Sequence, residues 1–176
     1  MDLRDRRTSM PSPVAHTLAG LAIAKLVATG ETRRPGVWVA LGVIAANAPD
    51  LDMVAGAVLG QVNALHGTAS HSVVATLAAA AVSMVPAARS LGGRKRVGML
   101  VLAAYASHVC LDLFCGPPQR KGLPLFWPFS DADFMSPWLP FPGIIHGPAH
   151  GGLAEFFGEL LTMQNVRTIG FEPIAP

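Results

Sequence analysis

Four apolar segments in this chain carry their few polar residues at one end only, and this placement constrains the fold more than any other feature. His16 stands near the start of segment 14–30, and Asp50 and Asp52 follow the end of segment 37–48. His66 and His71 precede the apolar run 72–88, and His108 and Asp112 lie near the end of segment 97–114. Helices joined by short loops alternate in direction, so start-one, end-two, start-three and end-four all face one way. The sequence therefore predicts an all-α protein, a bundle of about four to five apolar helices with a His/Asp pole.

The surroundings of that pole are unusually apolar. Of 176 residues, 51% are hydrophobic and 14% charged, against roughly 25% charged in ordinary soluble domains. The mean hydropathy of +0.43 points toward a membrane. Yet His16 and Lys25, the Pro49-Asp50 break, and His108 with Asp112 interrupt the apolar segments, so none is a clean span of about 20 residues. Residues 72–88 form the best apolar run. Polar residues inside such segments are costly in lipid and should face the bundle interior or a wet cavity.

A net charge of +2 gives no indication of a nucleic-acid partner. Lys25, Arg33, Arg34, Arg89, Arg94, Lys95 and Arg96 lie at the end opposite the His/Asp pole, with Glu31 as a nearby acid. The positive-inside rule places that end in the cytoplasm and the pole on the non-cytoplasmic side, against a countersignal from Arg4, Arg6 and Arg7. Cys110 and Cys115 read as small buried apolar residues rather than a disulfide framework. Residues 1–30 look superficially like a signal peptide, but Lys25 and the lack of an A-x-A site argue against cleavage.

Local punctuation gives the boundaries. Ser12 can cap a first helix with Pro13 in its opening turn. Pro49 disfavours helical geometry at Ala48, and residues 53–65 suggest a short helix. From Gly116 onward Pro and Gly become frequent, which reads as an ordered, irregular cap, with 153–163 as a last helix. One domain over 13–163 with flexible tails at 1–12 and 164–176 follows.

Three motifs carry the chemistry. Asp50-Leu51-Asp52 places two carboxylates just past a Pro break, able to turn toward one cation or to cap a helix. His66-Gly67-Thr68-Ala69-Ser70-His71-Ser72 brings two imidazoles together across small residues, with Ser70 or Ser72 free to cap the next helix or to hold a ligand in place. His108 and Asp112, four apart, share one helix face as a ligand pair or as a buried hydrogen-bonded pair. An isolated buried carboxylate is very unfavourable, so Asp112 must have a partner. Four His and three Asp from four segments exceed what capping needs. Mixed nitrogen and oxygen donors suit zinc, with manganese or iron as alternatives, and the surplus of ligands allows one to three ions.

These motifs, followed by Gly122-Leu123-Pro124-Leu125-Phe126-Trp127-Pro128, occur in the order seen in the YdjM family. The chain resembles that family of membrane-associated, metal-dependent hydrolases over roughly residues 14–130. The family shows an early histidine, P-D-x-D, H-R-G-x-T-H-S, H-x-x-x-D and G-x-P-L-x-W-P. Its proposed relatives are the zinc-dependent phospholipases C and P1-type nucleases, which implies a fold of that kind here. The resemblance implies His16, Asp50, Asp52, His66, His71, His108 and Asp112 as metal ligands. Asp50 or Asp52, if not a ligand, would serve as general base. It also implies a bacterial inner membrane location. Ser70 replaces the family's threonine, Gly67 its arginine, and Met53 a frequent histidine, which leaves the substrate open.

The expected activity is hydrolysis of a phosphoester by metal-activated water, with a small-molecule or lipid phosphoester as substrate and membrane lipid as partner. The alternative is a non-enzymatic membrane protein that binds or conducts metal ions or protons through buried His and Asp. A third reading is a structural bundle of internally paired His and Asp. Residues 125–129 form an aromatic wedge suited to packing, to the membrane interface or to a lipid groove. His146, His150 and Glu155 are further ligand candidates, although the spacing of the last two is one residue longer than H-x-x-x-E. Oligomeric state is open.

Overall fold

Ser12 opens the first helix as its sequence predicts: its Oγ accepts the Ala15 N–H at 3.2 Å, and Pro13, whose missing N–H costs nothing there, is the first helical residue. A computed structural model describes residues 7–28, 34–85, 93–116, 122–141, 143–148, 150–162 and 165–166. Helix α1 is Pro13–Val27, α2 is Pro35–Asn47, α3 is Leu51–Val58, α4 is Val73–Ser83, α5 is Arg94–Leu113 and α6 is Leu153–Leu160. A 3-10 turn, Ala69–His71, precedes α4. The chain is mostly helical.

Glycine sets the closest helix contact. A Cβ on Gly20 would stand 2.5 Å from the Gly42 carbonyl oxygen, and one on Gly42 would stand 2.7 Å from that of Gly20. Asn47 Nδ2 donates to Thr17 Oγ1 at 3.2 Å further along the same contact, so α1 and α2 run antiparallel. Helix α5 lies against α1, α2 and α4. Ala24, Trp38, Ala45, Ala46, Val97, Leu100, Val101 and Ala104 form the core between them, and every member is apolar. Beyond it, Tyr105, Val109 and Leu123 join the irregular cap to α5.

Several expectations change. Ala48 keeps helical angles, φ −62° and ψ −35°, and Pro49 instead marks a bend of 56° between α2 and α3. The run 72–88 gives an 11-residue helix, about 16 Å long and too short to span. Among the described residues, helix α5 is the one long and apolar enough to cross a membrane by itself, extended at its start by Arg94, Lys95 and Arg96, which are good helix formers. A fully helical protein is corrected by an antiparallel ladder of β1, Arg7–Met10, with β2, Ile144–Pro148, so part of the expected 1–12 tail is paired. Ile144 and Ile145 favour that extended state. Cys115 is buried as expected, but Cys110 is exposed. Helix α6 stops at Leu160, short of the expected 163. Residues 1–6, 163–164 and 167–176, which include most of both expected tails, lie outside the described residues, as do Glu31, Arg33 and Arg89.

Candidate metal centre

Helix α1 contributes His16 from its first turn, and the α2–α3 bend contributes Asp50 and Asp52. The loop before α4 contributes His66 and His71, and the last turns of α5 contribute His108 and Asp112. The topology gathers all seven at one end. The side chains of His16, His71, His108 and Asp112 are 0–1% exposed, while Asp50, at 21%, faces the open side.

The capping alternatives are decided by hydrogen bonds. Asp50 occupies the N-cap position of α3 but makes no side-chain cap bond. Ser72 caps α4 through the Ala75 N–H at 3.1 Å, while Ser70 turns the other way, donating to Asp52 Oδ2 at 2.6 Å. Gly67 is buried at φ +66°, a backbone state that glycine enters without strain, and it shapes the turn between His66 and His71.

Counting hydrogens fixes two tautomers. His108 Nδ1 lies 2.7 Å from the Ala46 carbonyl oxygen, which can only accept, so Nδ1 carries a proton. Ser70 spends its hydroxyl hydrogen on Asp52, so His71 Nδ1, 2.9 Å from Ser70 Oγ, is the donor in that contact. In the neutral ring, both Nε2 atoms then hold lone pairs. They stand 3.2 Å apart. Asp112 Oδ2 is 3.2 Å from His71 Nε2 and 3.4 Å from His108 Nε2. Asp50 Oδ1 is 3.3 Å from His108 Nε2 and 3.8 Å from His71 Nε2, and it has no hydrogen-bond partner.

Four donor atoms from three parts of the chain, the α2–α3 bend, the turn before α4 and the end of α5, thus gather here, and with neutral rings all four are acceptors. Ligands 2.0–2.1 Å from one tetrahedral ion would be separated by about 3.3–3.4 Å, which is the scale of these separations. Neutral imidazole and carboxylate are the donors that a divalent transition metal takes, so the residues fit such an ion. Overlapping triads of the same kind are His16, Asp50 and His108, and Asp50, His66 and His71. Both ring nitrogens of His16 lack hydrogen-bond partners; its Nε2 faces Asp112 Oδ1 at 3.4 Å, and its ring stacks on His108 at 3.7 Å. Burial alone lowers the His71 pKa, but the carboxylates of Asp112 and Asp52 outweigh it, so the ring holds a proton more firmly than a free imidazole.

Asp52 has a different neighbourhood from Asp50. Its Oδ1 meets His66 Nδ1 at 2.9 Å and its Oδ2 meets Ser70 Oγ at 2.6 Å, and it belongs to none of the triads found among the described residues. His150 Nδ1 pairs instead with Gln61 Oε1 at 2.9 Å, and Glu155 accepts the Gly152 N–H that starts α6. His146, on β2, is buried, with Nδ1 lacking a hydrogen-bond partner. Burial first, then the charge of His66, pushes its pKa down to about 4 against the influence of Asp50 and Asp112. The Ala46 carbonyl escaped the sequence reading because a backbone acceptor leaves no side-chain signal. Tyr105 had one, three residues before His108, and its hydroxyl donates to the Ser70 carbonyl at 2.7 Å.

A family model described as YdjM inner membrane protein matches residues 10–171 of the chain. No curated protein and no solved structure matches it.

Proposed function

This chain belongs to the YdjM inner membrane protein family, and from that premise we propose that it is a membrane-associated, metal-dependent hydrolase of phosphoesters, lipid phosphoesters included. The observation that carries this reading is the convergence of His71 Nε2, His108 Nε2 and Asp112 Oδ2 within 3.2–3.4 Å of one another, with Asp50 Oδ1 at 3.3 Å from His108 Nε2 and 3.8 Å from His71 Nε2. These four would hold the ion, zinc being the first choice by donor type, with manganese or iron as alternatives and His16 and His66 flanking the cage for one or two further ions. Such an ion supplies Lewis acidity toward a phosphoryl oxygen and lowers the pKa of water.

The protein's own residues divide the remaining work. Asp50, the cage member exposed to solvent, stands where an incoming ester and water would meet the site, and with Oδ1 turned to the cage its other carboxylate oxygen is the general-base candidate. The deeper cage residues exclude water and keep the donors fixed.

Hydrolysis is favoured over conduction by the core below the cage. The basic-end halves of segments 14–30, 72–88 and 97–114 carry almost no polar residues in the sequence, and Gly20 and Gly42 close the α1–α2 contact. A phospholipase C- or P1 nuclease-like fold and a site on the non-cytoplasmic side belong to this reading. For the latter, Lys25, Arg34, Arg94, Lys95 and Arg96 are all exposed at the opposite end. Elemental analysis of gently purified protein, with hydrolysis of a soluble phosphodiester and of phospholipid vesicles, tests the proposal. Stoichiometric metal with hydrolysis of either ester supports it; no metal after reconstitution, or metal without hydrolysis, overturns it.

A further inference from the structure

Two carboxylates two residues apart do different jobs here. Asp50 Oδ1 points into the cage and has no hydrogen-bond partner. Asp52 is engaged at both oxygens, by His66 Nδ1 at 2.9 Å and by Ser70 Oγ at 2.6 Å, and it also approaches His71 Nδ1 at 3.4 Å. Residues 50 and 52 straddle the start of α3, so a bend of the chain turns the two side chains to different neighbours.

We propose that Asp52 and Ser70 form an orienting bracket: Asp52 is a positioning residue that locks the Nδ1–H tautomers of His71 and His66, and not itself a ligand of the cation. The lock runs through one hydroxyl. Ser70 donates its single hydrogen to Asp52, and its oxygen then has only lone pairs to offer His71 Nδ1. A proton held on Nδ1 leaves the Nε2 lone pair of neutral His71 for the cage. Tyr105 braces the bracket from α5 by donating to the Ser70 carbonyl at 2.7 Å. His108 reaches the same tautomer through the Ala46 carbonyl, so two independent acceptors prepare the two facing nitrogens.

This inference rests on the cage holding a divalent cation, and its test separates the two ideas. Zinc affinity would be measured by chelator competition on the full-length, detergent-solubilised wild type, Asp52→Asn, Ser70→Ala and Asp50→Asn. Loss of an orienting partner typically weakens metal binding about 10–100-fold. Asp52→Asn and Ser70→Ala are expected to fall in that range with unchanged zinc stoichiometry. Long-range 15N–1H spectra of the zinc-loaded protein should show His71 protonated at Nδ1 in the wild type and a tautomer mixture in Asp52→Asn. Ser70→Ala, a small truncation, keeps the test alive should Asp52→Asn fail to fold. Wild-type affinity and spectra in both variants overturn the bracket, and loss of a whole equivalent of zinc in Asp52→Asn makes Asp52 a ligand and overturns it too. A wild type that binds no zinc overturns the metal reading itself, and the bracket with it.

Discussion

His71 Nε2 and His108 Nε2 face each other at 3.2 Å, each on a ring whose Nδ1 is committed to an acceptor elsewhere. Two buried lone pairs at that separation repel, and the nearby oxygens of Asp112 and Asp50 add to the repulsion. The arrangement calls for positive charge between them. Protons can serve in part: burial lowers the His71 pKa, and the carboxylates of Asp112 and Asp52 raise it by more.

Cation loading should therefore stabilise the fold. A ligand at 100 times its dissociation constant adds about 2.7 kcal/mol when it binds only the folded state. Thermal unfolding of chelator-treated protein, before and after zinc addition, should show a clear rise in the transition temperature. An unchanged transition would mean that the four atoms do not share a bound ion.

Asp112 and Asp50 should differ as targets. Asp112 is 0% exposed and faces His16, His71 and His108, whereas Asp50 is 21% exposed. Removing one partner of a buried charge pair costs about 3–5 kcal/mol. Asp112→Ala should lose that order of stability even without metal, while Asp50→Ala should lose metal binding and activity with a smaller change in unfolding. Equal destabilisation by both would contradict the geometry.

Gly20→Ala should loosen the α1–α2 contact, because the new Cβ would meet the Gly42 carbonyl oxygen at 2.5 Å. Overpacking of this kind costs about 1–3 kcal/mol. The same substitution at Gly36, where nothing lies within 4 Å of the new Cβ, is the control and should be neutral or mildly stabilising. Thermal melts of both variants in one detergent check the contrast.

Acid should destabilise the protein partly through His146. Its pKa is about 4 in the fold against 6.5 for the free side chain, so between those values the unfolded chain binds more protons. Its contribution is complete above about pH 6.5 and falls away as the pH drops toward 4. His71 acts with the opposite sign, since its pKa is raised. The difference between wild type and His146→Phe, measured without metal, isolates the His146 part. An identical slope of stability with pH in the two proteins would exclude that part.

Much of the site was legible because the direction of a chain through a bundle follows from its breaks. Ser12 with Pro13, Pro49 and the Ser72 cap put His16, Asp50, His71 and Asp112 at one end before any contact was known. The β1–β2 ladder was less visible, since it pairs residues 7–10 with 144–148, far apart in sequence and short on both sides. The capping roles of Ser70 and Ser72 were interchangeable in the sequence, and so were the roles of Asp50 and Asp52.

By itself, then, the sequence determined which residues are available and at which pole they gather, because apolar periodicity and helix breaks are local properties. Tertiary structure decided which carboxylate faces the cage, which serine orients a histidine, and that the Ala46 carbonyl fixes His108. Those choices depend on hydrogen-bond directions between elements distant in the chain, where a rotation about one side-chain bond exchanges a ligand for its support.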